Sequence, residues 1–132
     1  MPSCRDNKNP DWVANRRNLF IAWLLPGLLI VISWLAALPL MATGIIWAAA
    51  LTWMGIACLK NASQCGRRHC FYSGPYFILS ALIALCTGFE WSLFSALTLN
   101  QLALFLAIAT PLICILPDWL WGKYKKHSND PT

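Results

Sequence analysis

The fold is decided by residues 19–59, LFIAWLLPGLLIVISWLAALPLMATGIIWAAALTWMGIACL, which contain no Asp, Glu, Lys, Arg or His. A bilayer core about 30 Å thick is crossed by roughly 20 apolar residues of helix, so this run is long enough for two crossings. Pro39 and Gly44 lie near its middle, where turn-forming residues indicate a short connection. The sequence therefore predicts a hairpin of two antiparallel transmembrane helices, at 19–38 and 41–59.

A second apolar region, predicted as the hairpin 75–121, follows a polar stretch at 60–74. Ser73 before Pro75 is typical of a helix start, because serine caps the first turn and proline there loses no helical hydrogen bond. We predict a third span from Pro75 to Phe89 and a fourth at 99–121. Residues 91–98 are either an interfacial segment or extensions of these helices. The expected fold is an all-α integral membrane bundle of four transmembrane helices.

The composition agrees with a membrane protein and argues against other classes. Charged residues make up 11% of the 132 residues and hydrophobic residues 58%, whereas soluble domains carry about 25% charged residues. Disordered chains have low hydrophobicity, so the high hydrophobic content of this chain excludes disorder. The net charge of +5 does not predict nucleic-acid binding, because long apolar runs separate the basic residues.

The basic residues predict the orientation in the membrane. All ten lysines and arginines fall on one side of the four-span arrangement, in the tail 1–18, the loop 60–74 and the tail 122–132. Loops rich in Lys and Arg stay in the cytoplasm. We therefore expect a multi-pass protein of the inner (plasma) membrane, with both termini and the 60–74 loop in the cytoplasm.

The predicted loop contains the densest group of metal-binding residues. Two of the six cysteines, Cys65 and Cys70, flank His69 in the hexapeptide CGRRHC, and Cys58 lies at the end of the second span. Thiolate and imidazole groups suit soft or borderline ions such as Hg(II), Cu(I) and Zn(II). The spacing is not that of a zinc finger. These four residues are the predicted metal ligands.

Further residues extend this prediction along the membrane and to its surface. Arg67 and Arg68 favour the thiolate form of neighbouring cysteines, and beside a helix N-terminus they are candidates for binding a lipid phosphate. Cys86 and Glu90 are four residues apart, so on one helix they share a face. With Cys114 they form a candidate ligand-exchange path. The alternative is that the arginines only fix orientation, the thiols only pack between helices and the carboxylate is solvated.

Residues 65–75, CGRRHCFYSGP, resemble a motif of small prokaryotic polytopic membrane proteins of unassigned function. The chain is also loosely similar to the small mercuric-ion transport proteins, which carry cysteines in the membrane and on its cytoplasmic side. That second resemblance implies soft-metal chemistry. The chain departs from those proteins because its first predicted span, 19–38, contains no cysteine.

Two functions follow from these observations. The first is binding or transport of a soft heavy-metal cation (Hg, Cu or Zn) through thiolate and imidazole ligands. The alternative is a non-catalytic membrane subunit or assembly factor that docks on a larger membrane protein. Besides the bilayer, the expected partners are the metal ion and either a second copy of the chain or a membrane protein, with no nucleic acid. An enzyme is not expected, because the sequence has no C-x-x-C motif and no carboxylate cluster for magnesium.

Reporter fusions test the predicted orientation. A green fluorescent protein fused to the C-terminus should fluoresce, because it folds in the cytoplasm. Alkaline phosphatase fused after Ser95 should be active, whereas the same enzyme fused after Gly66 should be inactive. The opposite pattern of fluorescence and phosphatase activity would contradict the predicted orientation.

Overall fold

The structure is a computed structural model that describes residues 16–65 and 68–122, apart from the side chains of Gln64 and Cys65. Within these residues the chain is helical and contains no strand. Four helices are long and apolar enough to cross a membrane, which confirms the predicted all-α membrane bundle. They are α1 (Arg16–Leu35), α2 (Leu40–Cys65), α3 (Arg68–Gly88) and α4 (Leu99–Trp121), with a 3-10 turn at Ser92–Phe94.

Polar contacts at the two ends of the bundle define an up-and-down arrangement. Trp34 Nε1 donates to Asn100 Oδ1 over 2.8 Å, and His69 Nδ1 lies 3.0 Å from Asp118 Oδ2. The first contact joins the end of α1 to the start of α4, and the second joins the start of α3 to the end of α4. The end near His69 is named the basic end here, because it carries the lysine and arginines of the described chain: Arg16, Arg17, Lys60 and Arg68.

The helices do not end where the sequence loses its apolar character. α2 continues to Cys65 and α3 already begins at Arg68, so most of the predicted 60–74 loop is helical. Ser73 does not cap a helix but is buried within α3. Polar residues mark where a chain leaves the lipid, whereas a helix continues as long as its backbone hydrogen bonds can form. The first span is Arg16–Leu35 rather than 19–38. It begins earlier for the same reason, and it ends earlier because Ala37 has a left-handed φ of 48°.

A local change of helical geometry accommodates Pro26 in α1. Residues Phe20–Leu24 form a π-helical turn, and the N–H of Leu25 donates to the carbonyl of Phe20. In this i→i−5 pattern the carbonyl of Ile21 would need the N–H of residue 26, which proline lacks. Trp53 of α2 donates its Nε1–H to that carbonyl over 3.3 Å. The indole thus satisfies a backbone group that lipid cannot satisfy.

Glycines bring α2 and α3 into backbone contact along their length. A Cβ added at Gly44 would lie 2.6 Å from the Cα of Gly88, and one added at Gly55 would lie 3.0 Å from the carbonyl oxygen of Gly74. Helices in membranes associate through small residues of this kind, because lipid gives no hydrophobic driving force between them. This interface, the most extensive of the bundle, contributes most of the core: Trp47, Leu51, Cys58, Ala62, Cys70, Phe77, Ala81 and Ala84.

The outer helices are attached to this central pair to different degrees. α1 is joined to α2 by a buried hydrogen bond from Trp47 Nε1 to Ser33 Oγ, 3.0 Å long. α4 is the most peripheral span: 6% of its most apolar window is buried, against 44% for α2 and 50% for α3. Most of the α4 surface therefore faces lipid or a partner.

Matched glycine substitutions test the importance of the α2–α3 contact. Gly44→Ala should lower the free energy of unfolding by about 1–3 kcal/mol, because its methyl group would overlap the backbone of Gly88. Gly27→Ala is the control, since a Cβ at Gly27 has no heavy atom within 4 Å, and alanine favours a helix by up to about 1 kcal/mol. Unfolding in detergent with increasing dodecyl sulfate measures the free energy of unfolding of both variants. An equal change in Gly44→Ala and Gly27→Ala would contradict the α2–α3 contact.

Candidate functional site

A group of polar and thiol side chains lies between α2, α3 and α4 near the basic end of the bundle. Polar groups in a membrane span are costly unless they find partners, so such a group is a candidate functional site. The group is named the thiol cluster, and its members are Cys58, Asn61, His69, Cys70, Ser73, Cys114 and Asp118.

Two cysteines from different helices meet at the centre of the thiol cluster. Cys58 of α2 is 1% exposed and Cys70 of α3 is 0% exposed, their thiols interact, and both are free. Asn61 Nδ2 donates to Cys70 Sγ over 3.6 Å. The contact forms here because the close approach of Gly55 and Gly74, about one turn away, draws the two helices together. The sequence placed both cysteines at this end, and the structure brings them together.

The cluster also contains a buried hydroxyl group. Ser73 is 0% exposed, and its Oγ has no hydrogen-bond partner within the usual distance limits among the described residues. It lies three residues after Cys70, on the same helix face, and beside the Cys58 thiol. A buried polar group without a partner costs about 1–3 kcal/mol, so such groups often mark the place of an ion or water.

A histidine–carboxylate pair joins the thiol cluster to α4. His69 Nδ1 lies 3.0 Å from Oδ2 and 3.1 Å from Oδ1 of Asp118. The two side chains are 9% and 20% exposed. The His69 ring also interacts with the side chain of Cys70. One imidazole therefore links a membrane carboxylate to one of the two central thiols.

The sequence analysis missed Asp118, although a signal was present. Asp118 is a carboxylate within the fourth apolar span, and ionisable residues in spans are functional candidates. It follows Cys114 by four residues, so the two share a face of α4. The structure places Cys114 close enough to Cys58 and Cys70 for electrostatic interaction. The pair Cys114 and Asp118 lies far in sequence from the cysteines and histidine of the 60–74 stretch, so it was not recognised as part of the same site.

The predicted roles of three residues at the basic end stay untested. The Cys65 side chain and Arg67 lie outside the described residues, so their predicted roles stay predictions. Arg68 begins α3, and its Nε is buried without a hydrogen-bond partner among the described residues. The predicted role of Arg68 in binding an anion or lipid headgroup also stays a prediction.

Cys86 and Glu90 do not join the thiol cluster. Cys86 is 16 residues beyond Cys70 in the same helix, which is about 24 Å at 1.5 Å per residue. The buried side chains of α3 between them include the apolar Phe77, Ala81 and Ala84. The structure thus brings Cys114 but not Cys86 or Glu90 to the cluster, and it does not show the predicted chain of ligands from one membrane face to the other.

Glu90 instead ends a helix. Its φ of 53° is left-handed, its N–H donates to the carbonyl of Thr87, and the N–H of Trp91 donates to that of Cys86. These two bonds form a Schellman motif, in which glycine usually occupies the left-handed position. The prediction that Cys86 and Glu90 share a helical face was wrong, because the helix has ended at Gly88 before Glu90 is reached.

The described residues provide a pair of ligands rather than a complete metal-binding set. Within residues 16–65 and 68–122, no three His, Cys, Asp or Glu side chains are grouped so that they could hold one metal ion. Of the four predicted ligands, Cys58 and Cys70 interact directly, and His69 interacts with Cys70. The arrangement is therefore a dithiol with an adjacent imidazole.

Comparisons with protein-family models, curated proteins and solved structures find no match to this chain. They do not bear on the resemblance of residues 65–75 to other small membrane proteins, which stays a prediction. The function is accordingly inferred from the chemistry of the thiol cluster.

A substitution separates the helix-ending role of Glu90 from a metal-binding role. Glu90→Gly should raise the free energy of unfolding by about 1 kcal/mol, because glycine adopts a positive φ without the steric cost of a Cβ. Ala37→Gly is a matched variant, since Ala37 has a φ of 48° after α1 and carries no ligand. Denaturation in detergent should show a similar gain for both. A loss of metal binding in Glu90→Gly alone would contradict this assignment and restore the ligand path.

Proposed function

We propose that this protein binds a soft heavy-metal cation between Cys58 and Cys70, and that it handles or transports that cation at the membrane. The observation that carries the proposal is the interaction of two free, buried thiols from different helices, beside the buried hydroxyl group of Ser73. Two thiols that meet in a membrane protein can share one thiophilic ion.

The donor set favours some metals over others. Thiolate ligands select soft ions such as Cu(I), and two thiolates suffice for an ion that accepts two ligands, such as Cu(I) or Hg(II). Zinc usually takes four ligands in structural sites, and the described cluster offers Cys58 and Cys70 with the adjacent His69. We therefore favour Cu(I) or Hg(II) over Zn(II) as the bound ion.

The surroundings of the thiols are consistent with a bound charge. A buried ion is stable only when it is paired or hydrogen-bonded; two thiolates would neutralise Hg(II), whereas with Cu(I) they would leave one negative charge that needs hydrogen bonds. The Asn61 amide donates to Cys70 Sγ and would stabilise a thiolate there, since hydrogen bonds to charged groups are the stronger ones. The cluster thus offers two thiols and a hydrogen-bond donor to one of them.

The proposal includes an orientation. The described basic residues Arg16, Arg17, Lys60 and Arg68 all lie at one end of the bundle, and the positive-inside rule favours a cytoplasmic location for that end. In that orientation the thiol cluster lies near the cytoplasmic face of the inner membrane. Both termini would then be in the cytoplasm, and the site could exchange its ion with the cytoplasmic side.

Cu(I) binding by purified protein tests the proposal. A competition titration with a colorimetric Cu(I) chelator should give about one ion per chain. Cys58→Ser and Cys70→Ser should each weaken binding by more than about 100-fold, which is the upper value for residues that only support a metal ligand. Cys86→Ser is the matched control, because Cys86 is also a buried thiol of α3 but lies outside the cluster.

Two results would contradict the metal-binding proposal. One is unchanged Cu(I) affinity in the Cys58→Ser, Cys70→Ser double variant, and the other is an equal loss in Cys86→Ser. A protein that binds neither Cu(I) nor Hg(II) but co-purifies with one membrane protein in mild detergent would support the second candidate, a non-catalytic membrane subunit. The observation that favours this candidate is α4, whose most apolar window is 6% buried and leaves a long surface for a partner.

A further inference from the structure

Asp118 is a costly residue that packing alone does not explain. It lies three residues from the end of the span Leu99–Trp121, and a carboxylate in a span costs free energy of insertion, most at the centre and less near the ends. Its partner His69 is adjacent in sequence to Cys70, one of the two central thiols. A carboxylate inside a span and beside the candidate ligands is a candidate for a role at the site.

We propose that Asp118 is a positioning residue of the soft-cation site, which acts on the site through the ring of His69. Both of its oxygens lie within 3.1 Å of His69 Nδ1. This inference rests on the proposed function, because it assigns a task to Asp118 only if Cys58 and Cys70 bind a cation.

The contact with Asp118 fixes the ring of His69. A carboxylate accepts a hydrogen bond from Nδ1–H, so it holds the ring of His69 in one orientation. Metal-ligating histidines commonly hold a carboxylate in this way, and loss of that partner typically reduces metal affinity 10–100-fold. Because the ring interacts with Cys70, its orientation determines what surrounds that thiol. Asp118 thus makes α4, the most peripheral span, part of the site.

A purely structural tether would not need a carboxylate. α4 is also attached at its opposite end, where Asn100 accepts a hydrogen bond from Trp34. A neutral amide performs that attachment without the insertion cost of a charge. Asn100 can therefore serve as a simple attachment of α4. The carboxylate of Asp118 beside His69 fits a positioning role better than a simple attachment.

Cu(I) competition titration of the full chain in detergent tests this inference. Asp118→Asn should weaken Cu(I) affinity by about 10–100-fold, because a neutral amide is a weaker hydrogen-bond acceptor than a carboxylate and holds the ring of His69 less firmly. Asp118→Glu should recover part of the loss, because it restores the carboxylate. Asn100→Ala is the matched control: it removes the other polar attachment of α4 and should leave Cu(I) affinity unchanged.

A double-mutant cycle identifies the route of the effect. If Asp118 acts through His69, Asp118→Asn should cause no further loss in a His69→Ala background. Unchanged affinity in Asp118→Asn, a full additional loss in the His69→Ala background, or an equal loss in Asn100→Ala would each overturn the inference. Cys58→Ser, measured alongside, separates the role of Asp118 from the proposed function. If Cys58→Ser abolishes Cu(I) binding and Asp118→Asn leaves it unchanged, only the role of Asp118 is contradicted. If Cys58→Ser leaves Cu(I) binding unchanged, the proposed function itself is contradicted.

Discussion

The backbone contact between α2 and α3 is the constraint on which the rest of the molecule depends. Gly44 against Gly88 and Gly55 against Gly74 leave no space for a Cβ, so the two helices approach more closely than side chains usually allow. One consequence is a core in which these helices are half buried while α4 remains on the outside. Another is the meeting of Cys58 and Cys70, since neither short side chain could bridge a wider gap.

Lipid surroundings explain why polar side chains in this bundle occur in pairs. The indoles of Trp47 and Trp53 donate to Ser33 and to the Ile21 carbonyl, and each satisfies a group that lipid could not. Ser73 and Tyr76 are exceptions, because their buried hydroxyl groups have no hydrogen-bond partner within the usual distance limits in the described part of the chain. Ser73 lies beside the Cys58 thiol, where a bound ion would give its hydroxyl group a partner.

The sequence predicted the four spans well because hydropathy reports directly on transfer into lipid. It predicted helix ends poorly, since α2 extends through Lys60 to Cys65 and Ser73 lies inside α3. Cys58, His69 and Cys70 were recognisable as candidate ligands from residue type and proximity in sequence. Asp118 was not, because its partner lies 49 residues away and only the packing of α4 on α3 brings them together.

X-ray absorption spectroscopy at the copper edge of the Cu(I)-loaded protein tests the central claim most directly, because it reports the atoms bound to the metal. If Cys58 and Cys70 share the ion, the spectrum of the wild-type chain should require two sulfur neighbours, and that of Cys70→Ser should require at most one. A wild-type spectrum explained by nitrogen and oxygen neighbours alone, or two sulfur neighbours retained in both Cys58→Ser and Cys70→Ser, would contradict the account.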